Sequence, residues 1–395
     1  MNENGNTTEH RGNAPLEKGF ATIITPFQDF IKDQTTASVI LIVCTVLAMV
    51  LANSPLAQWY ESILHIKAGF VFSDWALQKS LQHWINDGLM AIFFFVLGLE
   101  IKREIFAGEL EDPQQSLPVI MAAAGGMLFP ALIYYLFNQT SPESLGWGIP
   151  MATDTAFAVG ILALLGRRIP VAVFVFLTAL AIIDDLGSIL VIALFYTENI
   201  NMPYLFAAVI LLAFLLLSNL LGIRSPALYF LVGGLVWLAM LQSGVHATIA
   251  GILVAFTIPG HPERDQSWFL NRTRGLVHEL ETIKKNKQKS GPILAEQDQH
   301  EVVEQVERAA TKTTTPLQRW EKGLGHPVAL FVLPVFALAN AGVPIDMTAL
   351  PSALINGITA GIVFGLVFGK IFGIAFMFWL TLRLGWGRLP AGMSM

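Results

Sequence analysis

Residues 172–195 read AVFVFLTALAIIDDLGSILVIALF, and the only charges in this stretch are the adjacent Asp184 and Asp185. A helix needs about 20 predominantly apolar residues to cross roughly 30 Å of hydrocarbon, so the stretch is a membrane span with two carboxylates near its middle. An ionisable side chain at that depth costs about 2.5–3.5 kcal/mol on an insertion scale. Two of them side by side call for a functional reason. The rest of the chain has the same character: Ala37 to Leu56, Leu117 to Phe137, Pro203 to Leu221 and Asn356 to Leu382 are further long runs with at most one charge each. Of the 395 residues, 54% are hydrophobic and 13% charged, about half the charge of an average soluble domain. A disordered polyelectrolyte is excluded, and an ordinary soluble enzyme does not fit. The fold class is all-α, a polytopic helical membrane protein.

The apolar runs give about ten transmembrane helices, near 37–56, 84–100, 118–138, 146–165, 172–195, 203–221, 226–241, 245–258, 327–343 and 356–380. The eighth is short and is expected to be partly unwound or to sit deep in the protein. Orientation follows the distribution of Lys and Arg. With the N-terminus inside, the inner segments carry 21 of the 24 basic residues, the outer loops only Lys67 and Lys79, and Lys370 lies within the last span. Both termini are therefore expected on the cytoplasmic side. Four regions result: a cytoplasmic segment 1–36, a membrane domain 37–258, a cytoplasmic loop 259–326, and membrane spans with a short tail over 327–395. The loop carries two polar helical stretches, near Gln266–Lys284 and Ile293–Ala310. Its Val302, Val303 and Val306 form a stripe too thin for an independent core, and its Lys284, Lys285, Lys287 and Lys289 read as a solvated cytoplasmic loop, with contact to anionic lipid as the other reading. Residues 58–83, outside, alternate around Ile66 to Val71 as a short hairpin does. The one cysteine, Cys44, lies inside the first span, so no disulfide framework exists.

Neighbouring helical residues point about 100° apart, so one carboxylate of Asp184-Asp185 can face an aqueous cavity while the other reaches an adjacent helix. Burial and mutual repulsion disfavour ionising both, whereas a bound cation or a lysine favours it. Such a pair suits exchange of protons for a small cation; the structural alternative is a protonated pair that only ties helices together. Ala152-Thr153-Asp154-Thr155-Ala156, mid-way along span four, supplies hydroxyls that stabilise a break in backbone hydrogen bonding. Broken helices expose carbonyls and dipole ends, the materials of a transporter ion site; an N-cap at a simple bend is the alternative. Lys370 follows Gly361, Gly365 and Gly369 and precedes Gly373, beside a flat glycine face that permits close helix approach. There it is placed to meet a carboxylate from another helix; snorkelling to an interface is the alternative. His246, in Ser243-Gly244-Val245-His246-Ala247-Thr248, carries a side chain whose charge changes near neutral pH, although a structural histidine fits the position equally. Glu100, Lys102, Arg103 and Glu104 close span two as a charged mouth or a solvated cap.

Together, Ala152-Thr153-Asp154, the run from Ala179 to Gly187 and Ser243 to Thr248 resemble the signatures of NhaA-type sodium/proton antiporters. Asn86-Asp87-Gly88-Leu89-Met90, Gly98 to Glu104 and Phe336 to Gly342 extend the similarity, which runs from about residue 20 to 390. The resemblance implies discontinuous helices in an inverted-repeat architecture within the bacterial inner membrane. It implies Asp184 and Asp185 as the cation- and proton-binding pair for transported Na⁺, with Thr153 near the ion and Asp154 compensating charge where broken helices cross. Lys370 would pair with Asp184 and yield to Na⁺. His246, Glu100 and Glu104 would shape the pH response, and the outer hairpin would build a homodimer. The implied activity is electrogenic exchange of Na⁺ or Li⁺ out for more H⁺ in, by alternating access. No metal cofactor, nucleotide or nucleic acid is needed; the partners are membrane lipid and a second copy.

Two features depart from that pattern. The family typically has twelve spans, whereas this sequence stops at Arg388 to Met395, and the long loop is expanded, with Lys322-Gly323 before His326-Pro327. A truncated, transport-inactive member needing another polypeptide is therefore the alternative reading. A sodium-coupled solute symporter would need a roomy polar cavity, and the spans carry no surplus of Asn, Gln or Ser to line one. An intramembrane aspartyl protease would need its two Asp on different helices, which the adjacent pair argues against.

Overall fold

A computed structural model describes residues 34–72, 75–108, 112–139, 142–153, 158, 171–197, 200–286 and 292–389. Residues 1–33, Asp154 with most of the second half of span four, the side chains of the lysines at 284–289, and residues 390–395 lie outside the described residues.

The first apolar run forms α1 (Gln34–Ala52), which turns sharply into α2 (Ala57–Leu64); the two helices meet at 114°. Next comes the hairpin: β1 (Lys67–Phe72) pairs antiparallel with β2 (Trp75–Ser80), in a register from Lys67 opposite Ser80 to Phe72 opposite Trp75. Trp84 Nε1 donates to the Ala68 carbonyl at 2.8 Å, fastening the hairpin to the helix that follows. That helix, α3, runs over Leu81–Phe106, longer than the apolar run of 84–100, because the charged residues at its end stay helical.

After α3 come α4 (Pro113–Phe137), a 3₁₀ segment (Pro142–Met151), α5 (Val171–Phe195), α6 (Met202–Leu220), α7 (Pro226–Ser243) and the short α8 (Thr248–Thr257). The hairpin of α9 (Gln266–Asn286) and α10 (Pro292–Thr313) forms the polar loop segment. It is followed by α11 (Pro316–Asn340), the small α12 (Leu350–Ile355) and α13 (Gly357–Arg383). α11 starts well before the expected span at 327. Thr315 caps it by accepting from the Gln318 amide, and Pro316 occupies the first turn, where its missing N–H costs nothing.

Among the described residues, seven helices are long and apolar enough to cross a membrane, or eight if α1 and α2 form one bent span. α8 is the short apolar helix that the sequence places eighth. At ten residues it covers about 15 Å, half a bilayer. Gly244, at φ 83°, ends α7 in the left-handed conformation, and Val245 to Ala247 turn the chain before helix resumes.

Small residues let these helices touch backbone to backbone. A Cβ on Gly251 of α8 would overlap the Ala91 carbonyl of α3, and one on Gly98 would sit 2.8 Å from the Ala255 Cβ. The buried Lys102 completes this contact: its Nζ donates to the carbonyls of Phe256 and Ile258, both at 2.6 Å. Those carbonyls belong to the end of α8, where an ammonium is favoured by both the orphan acceptors and the helix dipole. α13 lies on α4 in the same way. Cβ atoms on Gly373 and Gly125 would each overlap the other residue's carbonyl, and one on Gly369 would sit 2.9 Å from the Pro130 backbone. A further buried cluster, including Leu215, Val236, Ala250 and Val254, joins α6, α7 and α8.

Gly373→Val is expected to destabilise the purified protein by about 1–3 kcal/mol through overpacking. Gly234→Ala, where an added Cβ meets nothing within 4 Å, is expected to leave the Tm unchanged or slightly raised. Equal Tm losses for the two would refute the tight α4–α13 contact.

Candidate functional site

Three separate segments supply the site. α5 carries Asp184, which is 3% exposed in the middle of the helix. The chain leaving the 3₁₀ segment carries Thr153, and neither Ala152 nor Thr153 is in a helix. α13 carries Lys370, directly after a π-turn over Gly365–Gly369. Such one-turn irregularities are enriched at functional sites, and here the turn immediately precedes the lysine. The glycine face of α13 explains how Lys370 gets this deep: with Gly365, Gly369 and Gly373 against α4, the helix comes close enough for its lysine to reach the neighbouring span.

Lys370 Nζ lies 2.7 Å from Asp184 Oδ2. Thr153 Oγ1 donates to the same Oδ2 at 2.7 Å and accepts a hydrogen bond from Lys370 Nζ. Ammonium, hydroxyl and one carboxylate oxygen thus close a small ring. The other half of the carboxylate is different: among the described residues, Asp184 Oδ1 is buried and has no hydrogen-bond partner, and neither has the buried Ser188 Oγ, one turn further along α5. A buried acceptor without a partner loses about 1–3 kcal/mol of desolvation. The site therefore holds one saturated oxygen and two unsatisfied ones on the same helix. A carboxylate, two hydroxyls and nearby unwound backbone form an oxygen-only donor set, suited to a hard cation rather than a soft metal.

Asp185 is half-buried, next along α5. Asp154 lies outside the described residues. The charged end of α3 proves to be two things. Arg103 bonds Glu321 of α11 at 2.9 Å and Glu104 at 2.8 Å, and Glu100 is half-buried on the same helix. Lys102 leaves that group and turns inward to α8, as the 100° step of the helix requires, so it is a helix cap and not part of a charged mouth. His246 is exposed on the turn before α8 and so sits at the opposite end of that helix from Lys102. The structure therefore gathers Asp184, Thr153 and Lys370 in one place and Glu104, Arg103 and Glu321 in another, with His246 in neither.

Ser188 and Glu321 escaped the reading of the sequence. Ser188 had a usable signal, since it lies four residues after Asp184 and thus on the same face. Glu321 had none, because only the fold brings it to α3, where the neighbouring Trp320 also packs edge-on against Phe95 with ring centroids 5.3 Å apart.

The family model described as Na⁺/H⁺ antiporter 1 matches residues 28–395. A protein named Na(+)/H(+) antiporter NhaA 1 in Saccharophagus degradans is 46% identical over 379 residues, covering 96% of this chain and 81% of that protein. One named Na(+)/H(+) antiporter NhaA in Sulfurimonas denitrificans is 45% identical over 385 residues, covering 97% of this chain and 85% of that one. A third, Na(+)/H(+) antiporter NhaA 1 of Shewanella denitrificans, is 44% identical over 375 residues, with 95% and 82% covered.

Removing one partner of a buried ion pair strands the other charge. Lys370→Met should therefore cost about 3–5 kcal/mol of stability. Adding Asp184→Asn to it should recover most of that loss, because the double variant buries no unpaired charge. Thermal unfolding of the four proteins gives the coupling; strict additivity would show that the two side chains do not meet.

Proposed function

The chain belongs to the Na⁺/H⁺ antiporter 1 family, and from that premise we propose that it exports Na⁺ or Li⁺ in exchange for H⁺ through the Asp184–Asp185 pair. The observation carrying this reading is the asymmetry of Asp184. Its Oδ2 is held by Lys370 and Thr153, while its Oδ1 and the Ser188 hydroxyl have no partner.

The exchange runs by competition. With the cation absent, the Lys370 ammonium neutralises Asp184. An entering Na⁺ takes the unsatisfied Oδ1, draws on the Thr153 and Ser188 hydroxyls, and displaces Lys370 from Oδ2. Asp185, on the neighbouring face, takes up and releases protons as the site opens alternately to the two sides. Sodium and protons cannot both hold the pair, and that exclusion couples their fluxes. Asp154 compensates charge beside the broken segment. More protons enter than Na⁺ leaves, so the cycle is electrogenic, and each net charge moved inward gains about 2.3 kcal/mol per 100 mV. His246, Glu100 and Glu104 set the pH response, the two glutamates through the ion-pair group that Arg103 makes with Glu104 and Glu321.

The protein resides in the bacterial inner membrane with both termini in the cytoplasm. The β1–β2 hairpin joins two copies as a homodimer. The charge distribution of the sequence supports the orientation, and the open edges of a two-stranded sheet support the dimer. Beyond the transported ions the cycle needs lipid but no cofactor, nucleotide or nucleic acid.

The test uses the purified chain in liposomes with an acidic lumen and an internal pH dye. Sodium added outside should alkalinise the lumen, and an imposed potential should change the rate. The Asp184→Asn/Asp185→Asn variant should show neither effect. A folded wild-type protein that fails to respond at any pH overturns the reading. A response that survives in the double variant overturns the site.

A further inference from the structure

Among the described residues, four buried side-chain polar atoms lack a partner, and two of them, Asp184 Oδ1 and Ser188 Oγ, belong to the ion site. The other two are guanidinium nitrogens, Arg224 Nε and Arg319 Nε. Arg224 lies on the turn between α6 and α7 and Arg319 in the first turns of α11, yet both line one cavity of about 440 Å³. The third wall is α10, whose end is tied down here: the amides of Glu263 and Arg264 both donate to the Lys312 carbonyl at 3.0 Å. The cavity thus sits where the polar α9–α10 hairpin meets the membrane helices.

The charges lining it do not cancel. Arg308 is paired with Glu304 at 2.6 Å and Lys312 with Glu263 at 3.5 Å. That leaves two arginines against one carboxylate, Glu307. Arg224 spends one Nη2 hydrogen on the Pro262 carbonyl at 3.2 Å and retains its other donors. Guanidinium groups are matched to phosphate-type oxyanions, which accept several parallel hydrogen bonds. Thr311 and Thr314 lie on the same wall, but their hydroxyls already donate to the Glu307 and Thr311 carbonyls at 2.9 and 3.2 Å, so the grip falls to the guanidinium groups. Glu307 fits this scheme if the anion carries a proton, since its carboxylate can then accept the anion's O–H. It would repel an oxyanion that has none.

We infer that this cavity is a binding site for a protonated phosphate group from the aqueous phase, such as hydrogen phosphate, gripped by Arg224 and Arg319 and discriminated by Glu307. A phosphate headgroup of a lipid offers similar chemistry. However, among the described residues every side chain lining the cavity is charged or a threonine, a poorer seat for an acyl chain than for a free anion. A bound anion bridges the α6–α7 turn to α11. It thereby steadies the stretch of α11 that places Trp320 against Phe95 and Glu321 against Arg103.

The experiment is thermal unfolding and calorimetric titration of the full purified chain in a neutral detergent. The probe is potassium phosphate, compared with potassium sulfate and potassium chloride at equal ionic strength. Phosphate should raise the Tm by about 2–4 °C at saturation, and sulfate and chloride should not. Arg224→Gln and Arg319→Gln should each weaken phosphate binding at least tenfold. Should either fail to fold, Glu307→Gln removes the negative charge that repels an unprotonated oxyanion and supplies an N–H donor in its place, and should abolish the preference for phosphate over sulfate. Equal responses to phosphate and sulfate in the wild type overturn the proposal. So does phosphate binding that is unchanged in a folded arginine variant. A third arm uses nanodiscs with and without phosphatidylglycerol. Stabilisation that depends on Arg319 but appears only with that lipid, and never with free phosphate, overturns the aqueous source.

Discussion

The contact on which the architecture turns is the ion pair between Lys370 and Asp184, at 2.7 Å and sealed by Thr153. Taking two charges out of water costs several kcal/mol per ion, and their attraction offsets this only when geometry and further hydrogen bonds are good. A lysine and an aspartate on separate helices therefore impose strict terms on the backbone. α13 must approach α4 closely enough to deliver the ammonium. The segment before Asp154 must leave helical geometry at Thr153, and α5 must present Asp184 inward. The glycines at 365, 369 and 373 meet the first condition by bringing main chain against main chain, where any Cβ would intrude. The second is met by a 3₁₀ segment that ends at Met151.

A second buried lysine, Lys102, obeys the same physics with a different partner. Among the described residues it meets no carboxylate and instead binds two carbonyls at the end of α8. Thr257 and Ile258, at its end, are buried, so water does not reach the last carbonyls. An ammonium from α3 satisfies them, and the close contacts of Gly251 and Gly98 hold the two helices in register. α3 and α8 consequently behave as one packed unit whose far ends carry His246 on one side and the Arg103–Glu321 pair on the other. Any shift of that unit moves both ends together.

Hydropathy makes the spans legible because a bilayer demands long apolar runs, and it even marks α8 as deficient. The site was partly legible for a related reason: Asp184, Thr153 and Lys370 stand out because polar groups are costly inside such runs. What pattern alone misses is partnership. Glu100, Lys102, Arg103 and Glu104 read as one charged cluster, but the helix period turns Lys102 away from the others. The π-turn before Lys370 leaves no clear trace, since Gly365 to Gly369 reads equally well as a packing face. Ser188 was concealed by its ordinariness; a serine in a span usually bonds back to its own helix, and only the structure shows that this one does not. The start of α11 was missed because a capped polar helix that runs on into a span resembles loop in a hydropathy profile.

In the exchange proposed above, the two halves of the Asp184 carboxylate play different parts. Had both oxygens been saturated, an entering cation would have to break every bond before making any, and the site would be a static tie between helices. Had neither been, the buried charge would stand uncompensated. With Oδ2 satisfied and Oδ1 bare, a cation can bind first and expel the ammonium afterwards. The expelled Lys370 cannot remain charged and solitary in an apolar wall without a cost of several kcal/mol. It must either find another acceptor or give up its proton. In the proposed cycle, the second course would make Na⁺ arrival and proton departure one event at one pair of side chains, with Lys370 carrying a proton alongside Asp185.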